Sequence, residues 1–428
     1  MALKPGYILD HLDSQRESIL QFCADLVRRP SPNPPGDTRS VAEAVCALLE
    51  SHGLPVEVVA DQTHTPNLIS SIEGISPGKH FVLIGHMDTY PAGDESQWSR
   101  PAFGGTLENG RLHGRGAGDM KSGLTALIFA YLTLATQRLF NGRLTLLAVS
   151  DEMNFSPHGA RLLVAQRPDL LGDAVVDAEP TSPDFVLFGE KGMLWIEVTC
   201  KGASGAGAFA PGLPNAIEEM AVVLGEISGL REWQVTMPLE VTEALRVGGG
   251  ATGVAAKAMT YVSDEVLPLV TVNFGLIAGG RKINLVADAC RAEVDIRLPP
   301  GLALKQVTDF LDNVFARREN ATYRIIQATE PNWSDPNDRL FKLMLAHGER
   351  VSGLKPRLEF GITASDTRLF RAHRIPAALI GPRIANQGAA DESIDAEDTV
   401  RCAKVFALTA NDYLTPMKAD RRRASLSN

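Results

Sequence analysis

His86-Met87-Asp88, followed by Gly116-Ala117-Gly118-Asp119-Met120-Lys121, are the residues whose chemistry stands out. An imidazole, a carboxylate two residues on and a further carboxylate in a glycine-rich turn have the composition of half a metal site. One ring nitrogen of His86 would face an ion, while the Asp88 carboxylate orients the imidazole or supports the site.

Such groups need a rigid frame. Phe81-Val82-Leu83-Ile84 form a continuous apolar run, which suits a buried parallel strand over His80–Gly85. His86 then falls at the carboxyl end of that strand, where open α/β sheets carry their reactive groups. A second apolar strand is expected over Arg143–Ser150, with helices over Asp13–Arg29 (capped by Asp13 or Ser14), Val41–Ser51 and Ser122–Thr136. Strands alternating with helices give an α/β class with a doubly wound, mostly parallel sheet. After Gly192 the pattern changes. Alternating strands at Leu194–Cys200, Val270–Phe274, Cys290–Ile296 and Tyr323–Gln327, with helices at Pro214–Ser228 and Leu302–Arg317, indicate a small inserted α+β domain. The first pattern resumes near Asn332, with helices at Leu340–Val351 and Ala396–Leu414. The expected division is 1–193, 194–330 and 331–428, the first and last pieces forming one catalytic domain.

The residues between these elements are specific. Pro91-Ala92-Gly93-Asp94, Trp98, Pro101-Ala102-Phe103-Gly104-Gly105 and Gly110 to Gly123 follow in order. This resembles the zinc aminoacylase/carboxypeptidase family, which includes succinyl-diaminopimelate desuccinylase, acetylornithine deacetylase and glutamate carboxypeptidase, and the resemblance covers nearly the whole chain. It implies that the inserted domain is a ferredoxin-like lid that also dimerises. It implies that His86 and Glu179 bind a first metal and that Asp119 is the carboxylate the family uses to bridge two metals. The general base falls on Glu152, and Asn284, Arg297 and Arg368 match residues that grip a substrate carboxylate. The residue types agree: one imidazole and two carboxylates are the donor set of a catalytic rather than a structural zinc site.

The chain departs from the family pattern in three places. Met153 stands where the family has a second-metal Glu, and Gly388 where it has a second-metal His. A thioether is a weak donor for zinc and glycine has no side-chain donor, so both losses fall on one metal position and point to a single ion. Ala206 stands where the family's lid carries a His that helps hold the developing oxyanion. His158 is either a substitute ligand or a residue of a surface turn.

Three functions follow as alternatives. The first is a one-zinc hydrolase of an amide bond in a small N-acyl-amino-acid or peptide-like carboxylate, with Glu152 and Asp88 as catalytic groups. The second is non-hydrolytic chemistry on the same scaffold, such as condensation, lyase or isomerase work. The third is a binding-only protein that keeps the pocket. Arg297 and Arg368 imply an anionic substrate, because guanidinium pairs bidentately with carboxylate. A formal net charge of −9 argues against a general polyanion or nucleic-acid binder, and the basic stretch Lys418–Arg423 reads as a solvated end. Five widely spaced cysteines without a C-x-x-C pair suit reduced thiols in a cytoplasmic protein. No signal peptide or membrane span is expected, and the expected assembly is a homodimer through the lid.

Overall fold

A computed structural model of the chain describes residues 2–248 and 266–415. The Lys418–Arg423 stretch lies outside the described residues. The chain forms two compact units, one joining the chain up to Phe188 with Ser334–Glu359 and the chain from Ser365 onward. The other comprises Gly189–Trp333 and Phe360–Ala364, against 194–330 in the sequence reading.

The first unit is built on a mixed sheet. Its strands run in the order Glu57–Val59, Asn67–Glu73, Arg143–Val149, His80–His86, Ala174–Asp177, Ala377–Leu379 and Phe185–Glu190. The four central strands are parallel, and the flanking pairings are antiparallel. Helices cover both faces, as in a doubly wound fold. On one face Val82, Ile84, Leu147, Val149 and Val175 pack against Ala160, Leu163 and Phe370. On the other lies helix Ser122–Ala135, buried along all of its 14 residues. A helix that is apolar all round belongs in an interior. Two glycines let it approach: a Cβ on Gly85 would come within 2.8 Å of Met120 Cε, and one on Gly123 within 2.0 Å of the Ala178 carbonyl oxygen. Helix Ala396–Tyr413 lies on the same face, where the Phe81 and Tyr413 rings sit 5.3 Å apart.

A small antiparallel sheet of Ile384–Ala385, Ser393–Asp395, Arg111–His113 and Thr106–Glu108 has a separate task. Pairing of Ser393 with His113 and Ile394 with Leu112 brings the 386–392 loop beside the glycine-rich 114–121 loop. The N-terminal segment differs from the single helix expected over Asp13–Arg29. Two helices, Pro5–Ser14 and Arg16–Val27, meet at Gln15. The Ser14 hydroxyl donates back to the His11 carbonyl, a local bond that competes with continuing the helix.

The second unit is a four-stranded antiparallel sheet in the order Thr271–Gly279, Ala289–Leu298, Gly192–Lys201 and Ala321–Thr329. Helices Ala216–Ser228 and Leu304–Phe315 bury Met220, Val223, Ile227, Val307, Leu311 and Val314 in one core with Ile196, Val198 and Val294. The βαββαβ order is that of a ferredoxin-like domain. Among the described residues no helix is long and apolar enough to cross a membrane.

Candidate metal centre

His86 is the last residue of its strand, and Glu179 follows the neighbouring parallel strand, paired through Ile84 and Asp177. Asp119 comes from the glycine-rich loop before helix Ser122–Ala135. His86 Nε2 lies 3.0 Å from Asp119 Oδ1 and 3.2 Å from Glu179 Oε1. These separations approach the edge of a tetrahedral shell, about 3.3–3.6 Å for bonds of about 2.0–2.2 Å. Ligand atoms of the three residues all lie within 4.8 Å of one another, the one such group among the described residues. His86 Nδ1 sits 2.9 Å from the Asp88 carbonyl oxygen, so it carries the hydrogen and leaves Nε2 as the ligating atom.

The electrostatics demand a positive charge here. Burial opposes charge on His86, yet Glu179, then Asp119 and Asp88, outweigh it and lift the imidazole well above its ordinary value. Burial raises Glu179 to about 7 against the pull of His86, with Asp119 adding to the rise. A buried imidazole and two carboxylates therefore fit a divalent cation in donor type and in charge.

Glu152 opens a turn in which Asp151, Phe155 and Ser156 all adopt positive φ, at 64°, 65° and 60°. Strained turns of this kind gather at functional sites. Burial, then the negative charge of Glu179, pushes the Glu152 carboxyl well above its ordinary range. A carboxyl raised in this way holds a proton more firmly than a free one, a property of groups that move protons in active sites. Asp88 braces this turn. Its carboxylate accepts from the backbone N–H groups of Glu152 (3.2 Å) and Met153 (3.1 Å) and from Asn33 Nδ2 (2.9 Å). Burial pushes the Asp88 carboxyl up, but these donors and His86 more than offset it and hold it below its usual value. The structure thus modifies the role expected for Asp88. The His86 ring is held mainly by the Asp88 main chain, and the carboxylate positions the turn that bears Glu152.

Asn33 escaped the sequence reading. It donates to both Asp88 and Asp151, at 2.9 Å each, from within a proline-rich turn whose composition signals only a break. Arg115 and Glu392 also escaped it. They form a fully buried ion pair, and Glu392 accepts from the backbone N–H groups of Gly118 (3.0 Å) and Asp119 (3.3 Å). Arg115 additionally donates to the carbonyls of Pro91 and Ala389. Gln387 is the third. Its Nε2 donates to Asp119 Oδ2 at 2.7 Å.

Met153 is half-buried and engages Asp88 through its backbone N–H. Gly388 has φ +70°, and a Cβ there would meet the Tyr90 ring at 3.8 Å. Arg368 is 4% exposed, with its guanidinium 3.5 Å from Asp366 Oδ1, 3.9 Å from Glu152 Oε1 and 5.2 Å above the Phe155 ring. The Arg368 charge therefore already faces two carboxylates. His158 is bound by Asp61 and Gln62, both at 2.8 Å, and is outside the ligand cluster. In the second unit Ala206 pairs with Leu285, and the Gly207 N–H donates to the Asn284 carbonyl oxygen, so these two sequence positions are neighbours. Arg297 forks onto its strand neighbour Asp295 at 2.9–3.2 Å.

Comparison with known proteins gives one consistent answer. The model of peptidase family M20/M25/M40 matches residues 82–412. Succinyl-diaminopimelate desuccinylase 2 of Ruegeria sp. is 24% identical over 404 residues, covering 92% of this chain and 94% of the relative. An M20 family metallo-carboxypeptidase from Sulfolobus solfataricus superposes with a TM-score of 0.76 at 20% identity, covering 92% of this chain and 99% of that one. Human carnosine dipeptidase 1 gives 0.77 at 17% identity, covering 97% and 100%. At these identities the likeness to the solved structures is one of fold.

Proposed function

Since the chain belongs to peptidase family M20/M25/M40, and is thus an enzyme of the metallopeptidase and amidohydrolase type, we propose that it hydrolyses an amide bond with a single zinc ion. The substrate class is a small N-acyl-amino-acid or peptide-like carboxylate. The observation that carries the reading is the convergence of His86, Asp119 and Glu179 in a site where the negative charge of Glu179 also acts on the buried Glu152 carboxyl.

His86, Asp119 and Glu179 would hold the ion, which when bound supplies Lewis acidity toward a water and the scissile carbonyl. The remaining steps belong to the chain. Glu152 accepts the proton from the attacking water and returns it to the leaving nitrogen. Asp88 and Asn33 keep the Glu152 turn in place. Arg368, close to Glu152 and Asp366, limits the cost of packing so many carboxylates together. The relatives named as desuccinylases make N-succinyl and N-acetyl amino acids the first compounds to test.

The reading is tested by metal analysis and turnover of a panel of N-acyl amino acids. Glu152→Ala is expected to keep its metal and to lose roughly 10²–10⁴ in kcat. His86→Ala is expected to lose both. Full activity in Glu152→Ala would remove the mechanism. Product oxygen derived from isotopically labelled water supports hydrolysis, and its absence favours non-hydrolytic chemistry.

A further inference from the structure

Asp119 turns its two carboxylate oxygens to different neighbours. Oδ1 faces His86 Nε2 at 3.0 Å, and Oδ2 faces Gln387 Nε2 at 2.7 Å. A carboxylate oxygen in this setting only accepts, so the group of Gln387 that faces it is the NH2, however the amide is drawn. Gln387 Oε1 is left buried with no hydrogen-bond partner among the described residues.

An amide hydrogen carries partial positive charge and binds no cation. Placed at 2.7 Å it occupies one lone pair of Oδ2 and sets a positive hydrogen where a second ion would approach that oxygen. The residues around it offer no replacement. Gly388 has no side chain and sits at φ +70°, where any larger residue is strained. The half-buried Met153 offers only a thioether. The Asp119 backbone is meanwhile clamped by Glu392, which leaves the carboxylate little freedom to turn away from Gln387.

We infer that Gln387 commits Asp119 to one divalent ion: its amide engages the second oxygen of Asp119, where Met153 and Gly388 supply no further ligand, and it aims the first oxygen at His86 and Glu179. This rests on the single-metal reading above and gives it a cause. Gln387 is a positioning residue that acts through Asp119. A hydrogen-bonding partner of a metal ligand typically governs 10–100-fold in metal affinity.

The test is a Zn2+ titration of the full-length, metal-stripped chain, read by native mass spectrometry and calorimetry. Melting of each metal-free variant reports its folding separately. Wild type is expected to take one equivalent. Gln387→Ala is expected to take one, bound about 10–100-fold more weakly. Gln387→Glu places a second carboxylate opposite Asp119 Oδ2 and is expected to gain a weaker second equivalent. With Mn2+ as the probe, that second ion would show as a spin-coupled pair by electron paramagnetic resonance. Two ions of similar affinity in wild type overturn the inference, as does unchanged affinity in Gln387→Ala or a persisting single equivalent in Gln387→Glu. Wild type and His86→Ala both taking no ion would defeat the metal-centre reading itself, and this inference with it.

Discussion

Replacing Asp88 by Asn tests whether the carboxylate works as a brace. The wild-type side chain is fully buried and accepts from three N–H groups, with the His86 ring beside it. Oδ1 accepts from the Glu152 N–H and lies 3.5 Å from His86 Nδ1, while Oδ2 accepts from the Met153 N–H and from Asn33 Nδ2. Asparagine offers one acceptor oxygen, and its NH2 must face the other pair. If the oxygen takes the place of Oδ1, Met153 and Asn33 lose their acceptor. Asn33 cannot simply turn over, because its NH2 is also needed at Asp151. If the oxygen takes the place of Oδ2, Glu152 loses its acceptor instead. An unpaired buried donor costs about 1–3 kcal/mol, so a penalty of roughly 2–4 kcal/mol is expected after relaxation. That is a large part of a typical stability of about 5–15 kcal/mol, yet it leaves a folded protein. Relaxation moves the Glu152 turn, and a displacement of about 1 Å can cost roughly 10²-fold in rate. The assay combines denaturant unfolding, metal content and kcat on an N-acyl amino acid. The expected outcome is lower stability, one retained metal and kcat reduced at least about 10²-fold with a smaller change in KM. An Asp88→Asn protein with wild-type stability and kcat would refute the reasoning.

Two further outcomes are expected. His80 sits at the start of its strand, bound to Thr145, and burial, with Arg143 adding, lowers its pKa from 6.5 to about 4. The unfolded chain therefore takes up this proton first, so the contribution is fully present above pH 6.5 and is lost as pH falls toward 4. It is on the order of 3 kcal/mol, and comparing unfolding midpoints of wild type and His80→Gln between these pH values measures it. Gly123→Ala is expected to destabilise by about 1–3 kcal/mol or more and to weaken metal binding. The new methyl would stand 2.0 Å from the Ala178 carbonyl, next to Glu179, and unchanged melting and zinc affinity would contradict this.

The sequence made His86 and Asp119 legible because each stands at a change of pattern, whereas Glu179 was named only through the family resemblance. His86 closes an apolar run long enough to read as a strand, and Asp119 follows two glycines. The frame was legible where apolar runs are long, as in Ser122–Ala135. It was not where strands are short: Ala174–Asp177 and Ala377–Leu379 have four and three residues, too few for periodicity to declare itself, yet they complete the parallel centre of the sheet. The antiparallel flanks went unseen for a related reason, since strand direction depends on partners that no local pattern names. Met153 and Gly388 were visible as losses of donors. The compensating gain, Gln387 on Asp119, was not, because a glutamine in a short loop has no local signature and acquires its role only when Ile384–Ala385 and Ser393–Asp395 fold that loop against residues 114–121. Asp88 shows what close spacing leaves open. Proximity in sequence tied its carboxylate to His86, which does lie 3.5 Å away, but could not show that it also holds a turn more than sixty residues on.

The buried pair of Arg115 and Glu392 also governs when the centre can mature. His86, Asp119 and Glu179 all emerge from the ribosome before the inserted unit, whereas Glu392 and Gln387 emerge long after it. A nascent chain thus carries every donor for its ion while the Asp119 turn still lacks its clamp. Zinc captured at that stage would be held by a loose arm and exchange readily with the cell's pool. The clamp on the Asp119 turn is therefore a late addition to the chain, made only once the segment bearing Glu392 and Gln387 has been synthesised.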